Sequence, residues 1–134
     1  MKRIEEQAKR LDQEYQEIAQ LFDQFCQQAG ALAERYHFFS WPDYEESPPL
    51  ARAFTLLGEP RELRLRCQPG EGGALTGILQ VCDEEGTVHA RLGFRADGHL
   101  LLEPGSLLDD PPGLLLRLML GSLWQEPGDG EGGR

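Results

Sequence analysis

Apolar residues recur with alternating spacings of four and three through residues 1–36. Ile4, Ala8, Leu11, Tyr15, Ile18, Phe22, Phe25, Ala29, Leu32 and Tyr36 form one heptad seam. The pattern predicts a long amphipathic helix, with Glu5 and Lys9, and Glu6 and Arg10, as favourable i,i+4 pairs on its outer side. Gly30 is its weak point: glycine costs about 1 kcal/mol relative to alanine inside a helix, and a kink is natural there. What borders the seam changes along its length. Glu5, Gln7, Asp12 and Glu14 keep the first half narrow, whereas Ala19, Leu21, Cys26 and Ala33 widen the second. A narrow stripe suits one partner helix and a broad one suits a globular core. The second half is therefore expected on the body of the domain, and the first half against another helix.

Residues 37–49, HFFSWPDYEESPP, read as an aromatic-rich linker. A short helix is then predicted from Pro48 to Leu57, capped by Ser47, opened by Pro48 and closed by Gly58. The middle of the chain alternates with a period of two. Leu63, Leu65 and Cys67 interleave with Arg64 and Arg66; LTGILQVC and TVHARLGF follow after turns at 69–73 and 83–86. Ala96-Asp97-Gly98 predicts a three-residue hairpin loop with Gly98 left-handed, which pairs Arg95 with His99, Phe94 with Leu100 and Leu92 with Leu102. A two-residue turn would instead set Leu92 opposite Glu103 and break the buried face. Asp109 or Asp110 before Pro111 and Pro112 starts a helix through Trp124 that is apolar almost all round and so needs burial on two sides.

These elements predict an α+β fold: a long N-terminal amphipathic helix, a short helix, a four-stranded antiparallel β-meander and an apolar C-terminal helix. Residues 1–125 form a single domain with a projecting helical arm at 1–36, and 126–134 have the composition of a disordered tail. A helix of roughly 36 residues is ~54 Å long, and strands of ordinary length span about 17–20 Å. The helix should therefore overhang the sheet by ~20–30 Å.

Composition narrows the choice of partner. The 134-residue chain carries 13 Lys plus Arg against 23 Asp plus Glu, a net charge of −10. That balance opposes binding to nucleic acid or to an anionic membrane. The carboxylates are scattered, which also argues against mimicry of a phosphate backbone. No apolar run approaches the length of a membrane span. The start, MKRIEEQAKRLDQE, lacks the apolar stretch of a secretory leader. Cys26, Cys67 and Cys82 make an odd set with no C-x-x-C spacing, so a cytoplasmic protein with buried thiols is expected. His37, His89 and His99 have no ligand at metal spacing, and no motif implies a cofactor, a nucleotide loop or a catalytic group.

Two surfaces remain as candidates. Ile4, Ala8, Leu11, Tyr15 and Ile18 on the first helix, with Leu115 and Met119 on the last, are expected to bind a protein partner or a second copy of the chain. For a second copy, antiparallel packing brings the basic Lys2–Arg10 end toward Asp12, Glu17 and Asp23. The other candidate is the sheet's outer face, where Arg64, Arg66, His89, Arg91, Arg95 and His99 fall by alternation. It reads either as an anion or partner face or as a solvated surface whose arginine stems cover apolar area. The sequence thus points to a non-enzymatic adaptor, chaperone-like protein or small subunit of an assembly. The competing reading is a small-ligand-binding or catalytic α+β domain with a pocket between sheet and helices.

Overall fold

The architecture follows from where the first helix stops and what it lies on. The computed structural model describes residues 2–41 and 50–124. Helix α1 spans Lys2–Ala29, 28 residues and so ~42 Å. It ends at Gly30, not at Tyr36. A Cβ on Gly30 would stand 2.9 Å from Trp41 Cδ1, so the indole occupies the space that only glycine leaves open. From Gly30 to Glu34 the chain tightens into a 3-10 turn. At three residues per turn the heptad register drifts: Leu32 still points inward, while Tyr36 is exposed.

An antiparallel meander of five strands, in sequence order, forms one sheet: β1 Phe39–Ser40, β2 Ala51–Leu56, β3 Glu59–Pro69, β4 Leu75–Cys82 and β5 Val88–Arg95. Helix α2, Pro111–Leu123, follows. One face of the sheet carries Leu63, Leu65, Leu79, Val81, Leu92 and Phe94, all buried against Ile18, Phe22, Phe25 and Ala29 of α1 and Leu115 and Met119 of α2. Asp110 caps α2 by accepting from Gly113 N, with Pro111 and Pro112 at its first positions. Because α2 packs on both α1 and β5, most of its apolar surface is at least partly covered, while Trp124 at its C-cap is left exposed. At the other side of the sheet, the Arg52 guanidinium stands 5.4 Å from the Phe22 ring centre and bonds Asp23 Oδ1 at 2.8 Å, tying β2 to α1.

Four expectations are corrected. The short helix over 48–57 is a strand where it is described: Ala51–Leu56 pairs with Glu59–Arg64, and Gly58 closes a two-residue hairpin turn, not a helix. Both turn residues have positive φ, Leu57 at 54° and Gly58 at 81°, the signature of a type I′ turn. The strand count is five instead of four. The Ala96–Gly98 loop forms as expected, with Gly98 at φ 96° and Phe94 bridged to Leu100, but the strand after it is never built. Gly105 (φ 102°) turns the chain back so that His99 bridges Ser106, and Leu102 is left 97% exposed instead of facing Leu92. Val88, expected inward, is exposed because a bulge between Val81 and Cys82 shifts the register, leaving His89 as the extra residue. The acidic end of the aromatic linker and the 126–134 tail lie outside the described residues.

Contact between α1 and β4 is close at Gly77. A Cβ there would come 2.6 Å from Phe94 Cζ and 2.8 Å from Ile18 Cγ2, both fully buried side chains with no room to retreat. Gly77→Ala should therefore destabilise the fold by about 1–3 kcal/mol, the usual range for overpacking a core. Urea denaturation measures this as a lower midpoint at unchanged slope; a neutral or stabilising outcome would contradict this seating of α1.

Candidate functional site

The seam of α1 divides sharply between Tyr15 and Ile18. From Ile18 to Leu32 its members are buried to 2% exposure or less, whereas Tyr15, Leu11 and Ile4 are 40%, 50% and 60% exposed, and Ala8 is exposed as well. The hydrogen bond to the sheet's end nearest the N-terminus, among the described residues, is at Glu14, whose Oε1 accepts from Leu75 N at 3.0 Å. The dozen residues before it, 2–13, run on for ~18 Å, and among the described residues no hydrogen bond or ion pair joins them to the body. Of the residues expected to bind a partner, Ile4, Ala8 and Leu11 lie together on this arm, and Tyr15 continues the same exposed stripe at its base. Ile18, Leu115 and Met119 do not: all three are fully buried in the monomer's own core. Ile18 is the first seam residue to reach the sheet, and Leu115 and Met119 sit on the inward side of α2.

A cleft of about 850 Å³ opens beside Glu14. It is lined by Glu14 and Glu17 of α1, by Glu71 of the β3–β4 connection and by Leu75 at the start of β4. Arg95 at the end of β5, Asp97 of the loop after it, and Leu101 and Leu102 also line it. Its charge is mainly negative, Arg95 being the one cation among the lining residues; Arg10, outside the cleft, pairs with Glu14 at 3.5 Å. Leu101 lies over Gly93, where a Cβ would meet its side chain at 2.7 Å. Leu102 is held in the open by a tied loop. Leu100 N bonds Gly105 O at 3.0 Å, Ser106 N bonds Asp109 Oδ2 at 2.9 Å, and Arg117 grips both oxygens of Glu103 at 2.9 and 2.7 Å. That grip holds the Glu103 carboxyl below the usual carboxylate range. Sequence reasoning missed this cleft and the exposure of Leu102, which depend on segments far apart in the chain.

The basic face is dispersed. Arg64 and Arg91 share a transverse row through Gln80, and Arg66 lies one row away with Ile78 and Gly93. Arg95 lies at the cleft end of β5, and His89 at the other end. Arg64 is engaged by Glu62 at 2.8 Å, His89 by Asp83 Oδ2 at 2.8 Å, and His99 by Asp97 Oδ1 at 3.1 Å. Gln80 is 8% exposed, and its Oε1 finds no hydrogen-bond partner among the described residues. No group of three or more His, Cys, Asp or Glu side chains able to hold a metal ion occurs among the described residues, nor any helix long and apolar enough to cross a membrane.

The thiols and the β4–β5 turn give two measurable consequences. Burial pushes the Cys26 thiol up to about 12, against a smaller opposing pull from Arg52, and also raises Cys67 and Cys82. Since the thiolate is the nucleophile, iodoacetamide at neutral pH should alkylate half-buried Cys67 first. Cys26 and Cys82 should react only as fast as the chain unfolds; mass spectrometry of the adducts decides, and rapid labelling of Cys26 would be the contrary result. Asp83 Oδ1 accepts from Glu85 N and Thr87 N, and Oδ2 meets His89. Foremost the His89 bond, then these amides, hold the Asp83 carboxyl below its ordinary value. A carboxyl lowered in the folded state stabilises fully above the ordinary carboxylate range and loses that contribution as pH falls toward the lowered value. Asp83→Asn should thus melt below the parent at neutral pH, with the gap closing on acidification; a pH-independent gap would contradict this.

Comparison with protein-family models, with curated protein sequences and with solved structures finds no match to this chain.

Proposed function

We propose that this protein is a non-enzymatic interaction protein, an adaptor, chaperone-like protein or small subunit of a larger assembly, and that the first half of α1 is its contact surface. One observation carries this reading: the seam that is wholly buried from Ile18 onward continues through Tyr15, Leu11 and Ile4 in the open. Covering such side chains is worth about 1.5–3 kcal/mol each for full burial, and a helical arm of this length is marginal in water by itself. The exposed stripe is contiguous, which distinguishes it from the scattered surface leucines of any soluble domain. Leu115 and Met119 of the C-terminal helix serve the core, so the proposed surface rests on the first helix.

A second reading, a small-ligand site, rests on the cleft at the base of the arm. Its carboxylates stand without a convergent nucleophile, so it supports recognition more readily than catalysis. Site-specific photo-crosslinking tests the main reading. A photoreactive residue replacing Leu11, introduced in the cells that make the protein, should give a discrete protein adduct or a linked dimer. The same group replacing Leu57, somewhat more exposed than Leu11 but on the β2–β3 turn, should not. Equal labelling from both positions, or none from either, would remove the arm as the functional surface.

A further inference from the structure

We infer that the occupant of the arm and the adjoining cleft is a basic amphipathic helix of a different protein, with apolar residues at heptad spacing bordered by Lys or Arg. This rests on the interaction reading of the arm and goes beyond it by naming the partner's chemistry. In a helix pair, the residues bordering the apolar seam set partner choice. Here they are Glu5 and Asp12 on one side and Gln7 and Glu14 on the other; Glu14 is already met by Arg10 and Leu75 N, so Glu5 and Asp12 are the carboxylates that carry the preference. The arm's basic residues, Lys2, Arg3, Lys9 and Arg10, stand a further step round the helix.

The same border opposes a second copy. Parallel pairing would bring Gln7 to Asp12 of the second copy and Glu14 to its Ala19, with no attraction gained. Antiparallel pairing, favoured above from the basic end of the arm, sets Glu5 toward Asp12 of the second copy and Gln7 toward its Glu14. Each copy also carries a net charge of −10. A foreign helix bordered by cations meets neither penalty.

Glu14 belongs to both the stripe's border and the cleft wall, so the two surfaces are continuous. A partner running along Ile4, Leu11 and Tyr15 would next meet the cleft lined by Glu17, Glu71 and Asp97, where exposed Leu102 offers a place for an apolar side chain. Cationic heads and an apolar body are what such a mixed acidic and apolar surface accepts.

Fluorescence anisotropy of labelled synthetic peptides tests this on the full chain. One peptide carries a Leu heptad seam bordered by Lys, a second the same seam bordered by Glu, and a third the first composition in scrambled order. At low ionic strength the Lys-bordered peptide should bind roughly tenfold or more tighter than either control, with the preference shrinking as salt rises. Leu11→Asp should abolish its binding. The double variant Glu5→Lys and Asp12→Lys should shift preference toward the Glu-bordered peptide, a reversal that loss of folding cannot imitate. Equal binding of the Glu-bordered peptide, equal binding of the scrambled one, or no binding overturns the inference. So does a dimer by light scattering that Leu11→Asp converts to monomer. Crosslinks from Leu11 to a second copy, or to an acid-bordered helix, would remove this inference and leave the proposed function standing. An absence of specific crosslinks would remove both.

Discussion

The packing of Ile18, Phe22, Phe25 and Ala29 onto the sheet is the constraint from which the remaining features follow. It needs β4 to offer a hollow, and Gly77 supplies one that Ile18 and Phe94 fill. It fixes the height at which α1 crosses the sheet's end, marked by Glu14 on Leu75 N. Once that crossing is set, the arm is a matter of length. An eight-residue strand spans ~27 Å and α1 ~42 Å, so a helix seated by its second half must leave its first half beyond the sheet.

Seating α1 in this way also decides what α2 does. The sheet's apolar face is wider than one helix can cover, and α2 fills the remainder beside β5, burying Leu115, Leu118 and Met119. At the β2 side no second helix is present among the described residues. There Arg52 closes the core instead, its stem in the interior, its head over Phe22 and its charge matched by Asp23. Such a group costs little where it sits because the guanidinium remains hydrogen-bonded. Along the seam of the first helix the partition of apolar surface into spent and unspent is therefore sharp: the core takes Ile18 to Leu32 and leaves Ile4 to Tyr15.

Much of this was legible where local rules and tertiary packing agree. The heptad seam, the change in its border near Tyr15, the glycine break, the Ala96–Gly98 hairpin and the Asp110 cap each carry their own signal. Residues 48–57 misled because a proline after serine and a terminal glycine mark a helix as well as they mark the approach to a hairpin, and Ala51, Phe54 and Leu56 fit neither period cleanly. Pairing with β3 decided the matter, as tertiary context does for segments of weak propensity. The His89 bulge left no mark in the sequence, so alternation placed Val88 on the wrong face. Leu102 was misplaced because a glycine turn at Gly105 ended a strand whose pattern would have continued. The cleft draws on α1, the β3–β4 connection and the loop after β5; no window of sequence contains it.

The arm and the Leu102 loop share a property that bears on recognition. Both are ordered without being covered. The arm continues a helix whose second half is locked in the core, so helix nucleation, the costly step for an isolated segment, has already been met. Leu102 is presented by a loop held by Glu103, Arg117 and two backbone bonds. A partner arriving at such a surface loses less of its binding energy to ordering the receptor, which raises affinity for a given contact area. The carboxylates bordering the stripe act in the other direction on wrong partners. On the proposed reading, Glu5 and Asp12 disfavour like-bordered helices, including the chain's own, while the apolar stripe supplies the attraction common to amphipathic helices. On that reading, selectivity would come from charge and affinity from burial, and the exposed seam would favour a foreign basic helix over a second copy of this acidic chain.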